Sequence, residues 1–314
     1  MNLVFEVNFA VFAVFAALLI TEIMGSVLML LFYEKTRSSV LPYIVPIWEV
    51  TGTFGAYWVV TSYFGYPALL VTVAKLFAAP LIVFLFLLVA RNSSIVFGEF
   101  IIKKGWLDEK KLYQTYAVST ILMGVVVLVL LSDLVSGVGI DVTTGVFSFG
   151  AWISSAGSWV FVFGTLVLGV GLAPVFFDLG SMKSKVLPLT VLGLVISIGS
   201  YYLYSPSLIS PLIGIPTVLT ILAAVLFLVS AKTARIVANK AVFLTLLSII
   251  IFSLQFLVYP AALGQSLSID SVTIAGPIAS EFMVLSAGSA VFIGALVVFY
   301  IVIAMRQKAV GGGH

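Results

Sequence analysis

The chain is dominated by nine uninterrupted apolar stretches, each close to the length a helix needs to cross a bilayer. They run over roughly 8–33, 43–64, 66–90, 114–135, 152–177, 186–204, 213–231, 241–263 and 279–305. A hydrocarbon core of ~30 Å is spanned by ~20 helical residues at 1.5 Å each. No water in that layer pairs with backbone N–H and C=O groups, so only helices and closed β-barrels can span it. Barrel strands alternate lipid-facing and lumen-facing residues, whereas these runs are continuously apolar. The sequence therefore predicts an all-α, polytopic transmembrane bundle of about nine spanning helices, forming a single integral membrane domain over 1–314. Only 9% of the residues are charged and 62% are hydrophobic, against about 25% charged in soluble domains. The first stretch has no basic residues ahead of it and no small-residue cleavage site, so it reads as a retained helix rather than a signal peptide.

Fourteen of the fifteen Lys and Arg residues fall in connections 34–42, 91–113, 178–185 and 232–240 or in the tail after 305. The alternate connections, around 65 and over 136–151, 205–212 and 264–278, carry none. Cations collect on the cytoplasmic side of membrane proteins. The expected topology is a multi-pass protein of the cell membrane, amino terminus outside and carboxyl terminus in the cytoplasm. No connection is long enough for a soluble domain. The longest, 91–113, reads as an interfacial turn with Trp106 at headgroup level, and the Gly/Val/Thr-rich segment 136–150 as a cover over the bundle.

Several chemistries are excluded at once. There is no cysteine, hence no disulfide, iron–sulfur cluster or thiolate zinc site, and the single histidine is His314, the last residue. Haem, copper and most catalytic metal sites need imidazoles inside the protein. The seven methionines are scattered and suit apolar filling. No phosphate-binding glycine loop or nucleophile elbow is present. A net charge of +3 spread over so few charged groups builds no nucleic-acid surface.

What remains is charge inside the membrane. Glu22 lies near the middle of the first stretch, Glu49 about six residues into the second, and Lys75 midway along the third. An ionisable group at such depth costs ~2.5–3.5 kcal/mol or more unless paired or neutralised, and usually faces the bundle interior or water. Two carboxylates stepping inward from the cytoplasmic side would suit a proton-uptake path. The competing structural reading pairs Lys75 with one of the glutamates to fix helix register; both stay open on the sequence. Asp133, Asp178 and Glu281 lie near helix ends, where a polar tip reaches water at little cost. Gly52, Gly55 and Ala56, and Gly164, Gly169 and Gly171, read as close-packing faces between helices.

Thr21-Glu22 leads into Met24-Gly25 and Leu28-Met29-Leu30; Pro46-Ile47-Trp48-Glu49 opens the second stretch. Arg91 follows the third, ahead of Phe97-Gly98-Glu99-Phe100. Tyr259-Pro260, Ser271-Val272-Thr273-Ile274 and Ala279-Ser280 precede the last. In this order and spacing, from end to end, the chain resembles the second, haem-free subunit of cytochrome bd quinol oxidases. It departs from that family in carrying Gly25 where a second carboxylate usually stands and Val50-Thr51-Gly52 in place of amide residues. Phe163-Gly164 stands where the family has a histidine, and the nine predicted passes compare with the family's eight.

The resemblance implies a subunit that binds none of the haems itself and packs against a haem-bearing membrane subunit, with small accessory subunits possible in such complexes. It further implies help with proton entry and, in some members, a bound quinone or lipid. Carried over residue by residue, it places Trp48 and Glu49 near the subunit interface on a proton route that Glu22 extends, with Arg91 and Glu99 at the cytoplasmic mouth. Two alternatives stand beside it. One is an ion-coupled secondary transporter using Glu22, Glu49 and Lys75; against it, Pro80 and Pro216 do not interrupt matching places in two halves, as transporter repeats do. The other is a purely structural membrane subunit of a b-type cytochrome complex.

Overall fold

The computed structural model describes residues 3–100, 108–141, 144–179, 183–204, 239–256, 258–259, 261–263, 267–273 and 276–311. The predicted span 213–231 lies outside the described residues. Among those described, four helices are long and apolar enough to cross a membrane, and the architecture is that of an all-α membrane protein.

The first two predicted spans form one element. Helix α1 (Leu3–Gly65) is helical except at Phe32 (φ −136°, ψ 38°), where the chain reverses. Its arms, 3–31 and 33–65, run antiparallel. Asn8 Nδ2 donates to Thr61 Oγ1 (3.1 Å) and Ser62 Oγ (2.9 Å) at the open end, and the Thr21 and Tyr43 hydroxyls meet at 2.8 Å between the arms. Thr36 Oγ1 reaches the carbonyls of Leu28 (3.2 Å) and Phe32 (3.0 Å), stitching the turn. The predicted connection 34–42 is therefore helix. Tyr33, Thr36, Val40, Tyr43, Ile44 and Ile47 are buried at helical spacing, while Glu34, Lys35 and Arg37 face out.

The third predicted span, 66–90, is two helices, α2 (Pro67–Leu76) and α3 (Ala78–Phe100), separated at Phe77. Pro80 sets the break: it has no N–H for the Leu76 carbonyl and its ring crowds that carbonyl, whereas in the first turn of a new helix it is tolerated. Helix α3 continues ten residues past the predicted end, so Arg91 lies within a helix instead of opening a loop. Helix α4 (Glu109–Ser136) starts with acidic Glu109 and closes on Gly137 at φ 70°, the left-handed terminator that glycine adopts without strain.

The segment predicted to cover the bundle is a small hairpin, β1 (Ile140–Asp141) paired antiparallel with β2 (Val146–Phe147), followed by α5 (Phe149–Ile153). Helix α6 (Ala156–Phe176) starts later than the predicted 152, because Ser155 caps a new helix there by accepting from Ser158 N–H. Helices α7 (Lys183–Tyr204) and α8 (Lys240–Gln255) follow in the described chain. The latter stops short of the predicted 263, where β3 (Ala261–Ala262) pairs with β4 (Leu267–Ser268). Short α9 (Ile269–Val272) and long α10 (Pro277–Gly311) complete it.

Helices α6 and α7 pack backbone to backbone. A Cβ on Gly164 would stand 2.7 Å from Ser197 N, one on Gly171 2.6 Å from Thr190 N, and one on Gly193 2.3 Å from Leu168 N. These three contacts share one antiparallel register. Two of the predicted close-packing glycines thus do that work, while Gly52 faces nothing within 4 Å.

Cations and acids of the predicted cation-bearing connections make contacts among the described residues. Lys110 Nζ lies 3.3 Å from Glu34 Oε1, Tyr33 OH donates to Glu109 Oε1 at 3.3 Å, and Lys240 Nζ sits 5.7 Å from the Phe176 ring centre. The end of the bundle away from these contacts is aromatic: Phe5 packs on Tyr66 (5.6 Å) and Tyr259 (4.8 Å), Tyr259 OH donates to exposed Asp270 Oδ1, and Phe77, wholly buried, packs on Phe147 of the first hairpin (5.1 Å).

Candidate functional site

The site is built where α1 crosses α3 and α4. Glu22 on the first arm of α1 is 0% exposed and Arg91 of α3 is 1% exposed. Arg91 Nη2 donates to Glu22 Oε2 in a buried ion pair and to the Trp48 carbonyl at 3.2 Å, and Nη1 donates to Asn92 Oδ1 at 2.8 Å. From α4, Tyr116 OH donates to the same Glu22 oxygen at 3.2 Å, and its ring lies under the guanidinium at 5.6 Å. Three of the motifs read from the sequence, Thr21-Glu22, Pro46-Ile47-Trp48-Glu49 and Arg91, therefore converge on one guanidinium.

Charges taken out of water are stable only when paired and further hydrogen-bonded. Here the pairing is lopsided. Glu22 Oε2 takes two donors, while Glu22 Oε1 and Arg91 Nε are buried without a hydrogen-bond partner, as is Ser26 Oγ one turn further along the same arm. Glu22 Oε1 is thus a carboxylate oxygen inside the bundle with free lone pairs, held next to a fixed positive charge.

The other candidates lie apart. Glu49 points to the outside of the second arm, next to Trp48, whose half-buried side chain flanks it. Arg91, expected at the mouth, sits at the ion pair instead. Glu99, two turns beyond it on α3, is exposed and accepts a hydrogen bond from buried Tyr113. Lys75 is exposed near the end of α2 and pairs with no glutamate among the described residues. The cation that pairs with Glu22 is Arg91.

Gly25 is explained by packing. A Cβ there would lie 2.8 Å from Ile44 Cδ1, 3.0 Å from Phe177 Cζ and 3.1 Å from Val40 Cγ1. A carboxylate there would have to displace these three side chains.

A second feature lies toward the aromatic end, a cavity of about 380 Å³ between α1, α2, α4, α6, α7 and α8. Its wall is apolar except for a few groups, among them Asn8, Ser62, Tyr66 and Gln255. Asn8 and Ser62 satisfy each other, and Gln255 Nε2 donates to the Phe9 carbonyl at 2.9 Å. The Tyr66 hydroxyl is buried with no partner. An apolar cavity of this size with a few convergent polar groups is the usual form of a small-molecule site.

Sequence reasoning missed Tyr116, Tyr113 and Tyr66. The first two had a signal: Tyr113, Tyr116 and Thr120 recur at helical spacing and are buried, while Lys111 and Thr115 on the same helix are exposed, marking a polar stripe turned inward.

No family model and no curated protein matches the chain by sequence. Its fold is similar to that of a chain in the structure of bd oxidase from Geobacillus thermodenitrificans, with a TM-score of 0.70 and 15% identity over 99% of this chain and 100% of that one. The likeness is one of fold.

Proposed function

We propose that this chain is the haem-free membrane subunit of a respiratory, quinol-oxidising terminal oxidase of the cytochrome bd type, seated in the cell membrane against a haem-bearing subunit. The observation that carries the reading is the end-to-end likeness of fold to a bd oxidase chain. With one histidine, at the last position, the chain brings no imidazole pair to hold a haem, so the haems belong to the partner. The Lys and Arg residues confined to alternate connections support a carboxyl terminus on the cytoplasmic side.

In this reading Glu49, on the outer surface of α1, exchanges protons where the subunits meet. The free oxygen of Glu22 continues the path inward, and Glu99 with Tyr113 marks its entrance. The apolar cavity fits the ring or chain of a quinone or a lipid, with Tyr66 OH free to donate to a carbonyl oxygen. A quinone bound there would supply two-electron redox chemistry, a lipid only packing. One observation favours a structural role for Glu22: the Arg91 pair already compensates its charge.

The test is purification from native membranes in mild detergent, with a reduced-minus-oxidised spectrum and mass spectrometry of every chain present. A stoichiometric partner with b- or d-type haem bands is expected. A colourless chain running alone would overturn the reading.

A further inference from the structure

The second arm of α1 carries an acid in the middle of the membrane that its own chain leaves without a donor. Glu49 stands sixteen residues from Tyr33 and sixteen from Gly65, about 24 Å from either end of the arm. A ~30 Å hydrocarbon core placed anywhere along that ~48 Å arm keeps Glu49 at least ~6 Å inside it, and ~15 Å inside when centred. Glu34, Lys35 and Arg37, exposed just after the reversal, belong at the polar rim. Snorkelling serves the long stems of Lys and Arg near helix ends, and Glu49 has neither the stem nor the position.

Glu49 is exposed, and among the described residues neither a salt bridge nor a hydrogen bond reaches its carboxylate. Arg91 touches the neighbouring Trp48 carbonyl but is committed to Glu22. Thr53 Oγ1, one turn on, donates to the Glu49 carbonyl at 3.0 Å. The residues sharing the Glu49 face are small: Gly52, Thr53 and Ala56 stand three, four and seven positions on, and all are exposed. A Cβ on Gly55 would lie 2.9 Å from the Phe15 ring of the first arm, whereas one on Gly52 would meet nothing within 4 Å. Gly55 is thus used inside this chain and Gly52 is not. Small residues at this spacing let the backbone of a second helix come close, and an intramembrane acid beside them calls for a partner group at the same depth.

A second copy of this chain does not supply that group. A twofold axis along the membrane normal preserves depth, so it would set Glu49 against Glu49, with Thr53 already engaged.

We propose that the face formed by Glu49, Gly52 and Ala56 receives a transmembrane helix of a different membrane protein, which crosses closest at Gly52 and sets a side-chain N–H or O–H donor on the Glu49 carboxylate. The proposal rests on the subunit reading and adds to it the crossing point and the chemistry of the partner's contact.

The test is Gly52→Leu in the full chain, purified from native membranes in mild detergent. The leucine meets open space in this chain, so thermal unfolding should match the parent, while the co-purified partner should fall about tenfold or more. Ala56→Leu, on the same face, takes its place if that variant fails to accumulate. Both membranes are also treated with dicyclohexylcarbodiimide, an apolar reagent to which a carboxylic acid within the bilayer adds, giving a stable N-acylurea that mass spectrometry reads on the Glu49 peptide. Glu49 should be modified far more in the variant, where the partner helix no longer covers it. Partner recovered at the parental level, equal modification of Glu49 in the two membranes, or a second copy as the chain that is lost overturns the proposal. A haem partner that survives Gly52→Leu sinks the docking face alone; a colourless parent preparation whose partner is lost in Gly52→Leu sinks the oxidase reading alone.

Discussion

Replacing Arg91 by methionine keeps an unbranched apolar stem and removes the guanidinium with its charge. Glu22, 0% exposed, would be left with one donor, Tyr116 OH at 3.2 Å. Breaking a buried pair on one side costs about 3–5 kcal/mol, because a buried charge is left uncompensated. Converted at about 1.4 kcal/mol per decade, that is a fall of some two to three and a half decades in the folding equilibrium. Glu22→Gln should cost less, since Arg91 keeps the Trp48 carbonyl and Asn92 Oδ1 as acceptors and the Tyr116 ring beneath it. The double variant, Glu22→Gln with Arg91→Met, should be more stable than Arg91→Met alone, with a coupling energy of about 1–3 kcal/mol. The assay is reversible unfolding in mixed micelles by increasing denaturing detergent, followed by helix ellipticity and tryptophan fluorescence. If Arg91→Met stays within about 1 kcal/mol of the parent, Glu22 carries no buried charge that needs compensation, and the argument from a compensated ion pair is refuted.

Three further outcomes are expected. Gly193→Ala drives a methyl to 2.3 Å from Leu168 N and should destabilise the chain by about 1–3 kcal/mol; Gly199→Ala on the same helix meets nothing within 4 Å and should be neutral or slightly stabilising, by up to about 1 kcal/mol. Thermal unfolding of the two variants side by side separates close packing from helix propensity. In the intact complex, Glu49→Gln should slow quinol oxidation several-fold, and unchanged turnover would leave the chain a structural role only. Tyr66→Phe removes the unpartnered hydroxyl of the cavity and should lower the amount of quinone or lipid co-extracted with the purified chain, measured by chromatography of an organic extract.

How much of this was written in the sequence depends on the length scale of the cause. Continuous apolar runs dictate passes because the backbone has no other way to be satisfied in lipid. The close contacts of Gly164 and Gly171 were legible because a spacing of seven puts both on one helix face, although Gly52, read the same way, faces nothing within 4 Å. The reversal at Phe32 was hidden, because a charged run beginning at Glu34 looks like a loop until Tyr33, Thr36 and Val40 are seen to keep a buried helical face. The partner of Glu22 was hidden for a similar reason. Arg91 follows the last residue of an apolar run and reads as an interfacial cation, yet Ser94, Ile95 and Gly98 continue a buried face and carry the helix past it. Fixing which of several distant cations meets a glutamate needs the crossing of α1 with α3, and that is a property of packing, not of local pattern.

The separation of Glu22 and Arg91 also bears on how the protein is made. The two residues are 69 positions apart, so Glu22 leaves the ribosome well before its counterion exists. The reversal at Phe32 leaves no loop between the arms of α1, which favours their delivery to the bilayer as a hairpin. Until α3 has been synthesised, that hairpin carries a lone acid worth about 2.5–3.5 kcal/mol of insertion penalty. That penalty holds the hairpin at the insertion machinery until Arg91 arrives to pair with Glu22. The first three passes then enter the membrane as one biogenetic unit, and a chain truncated before Arg91 would be retained at the translocon.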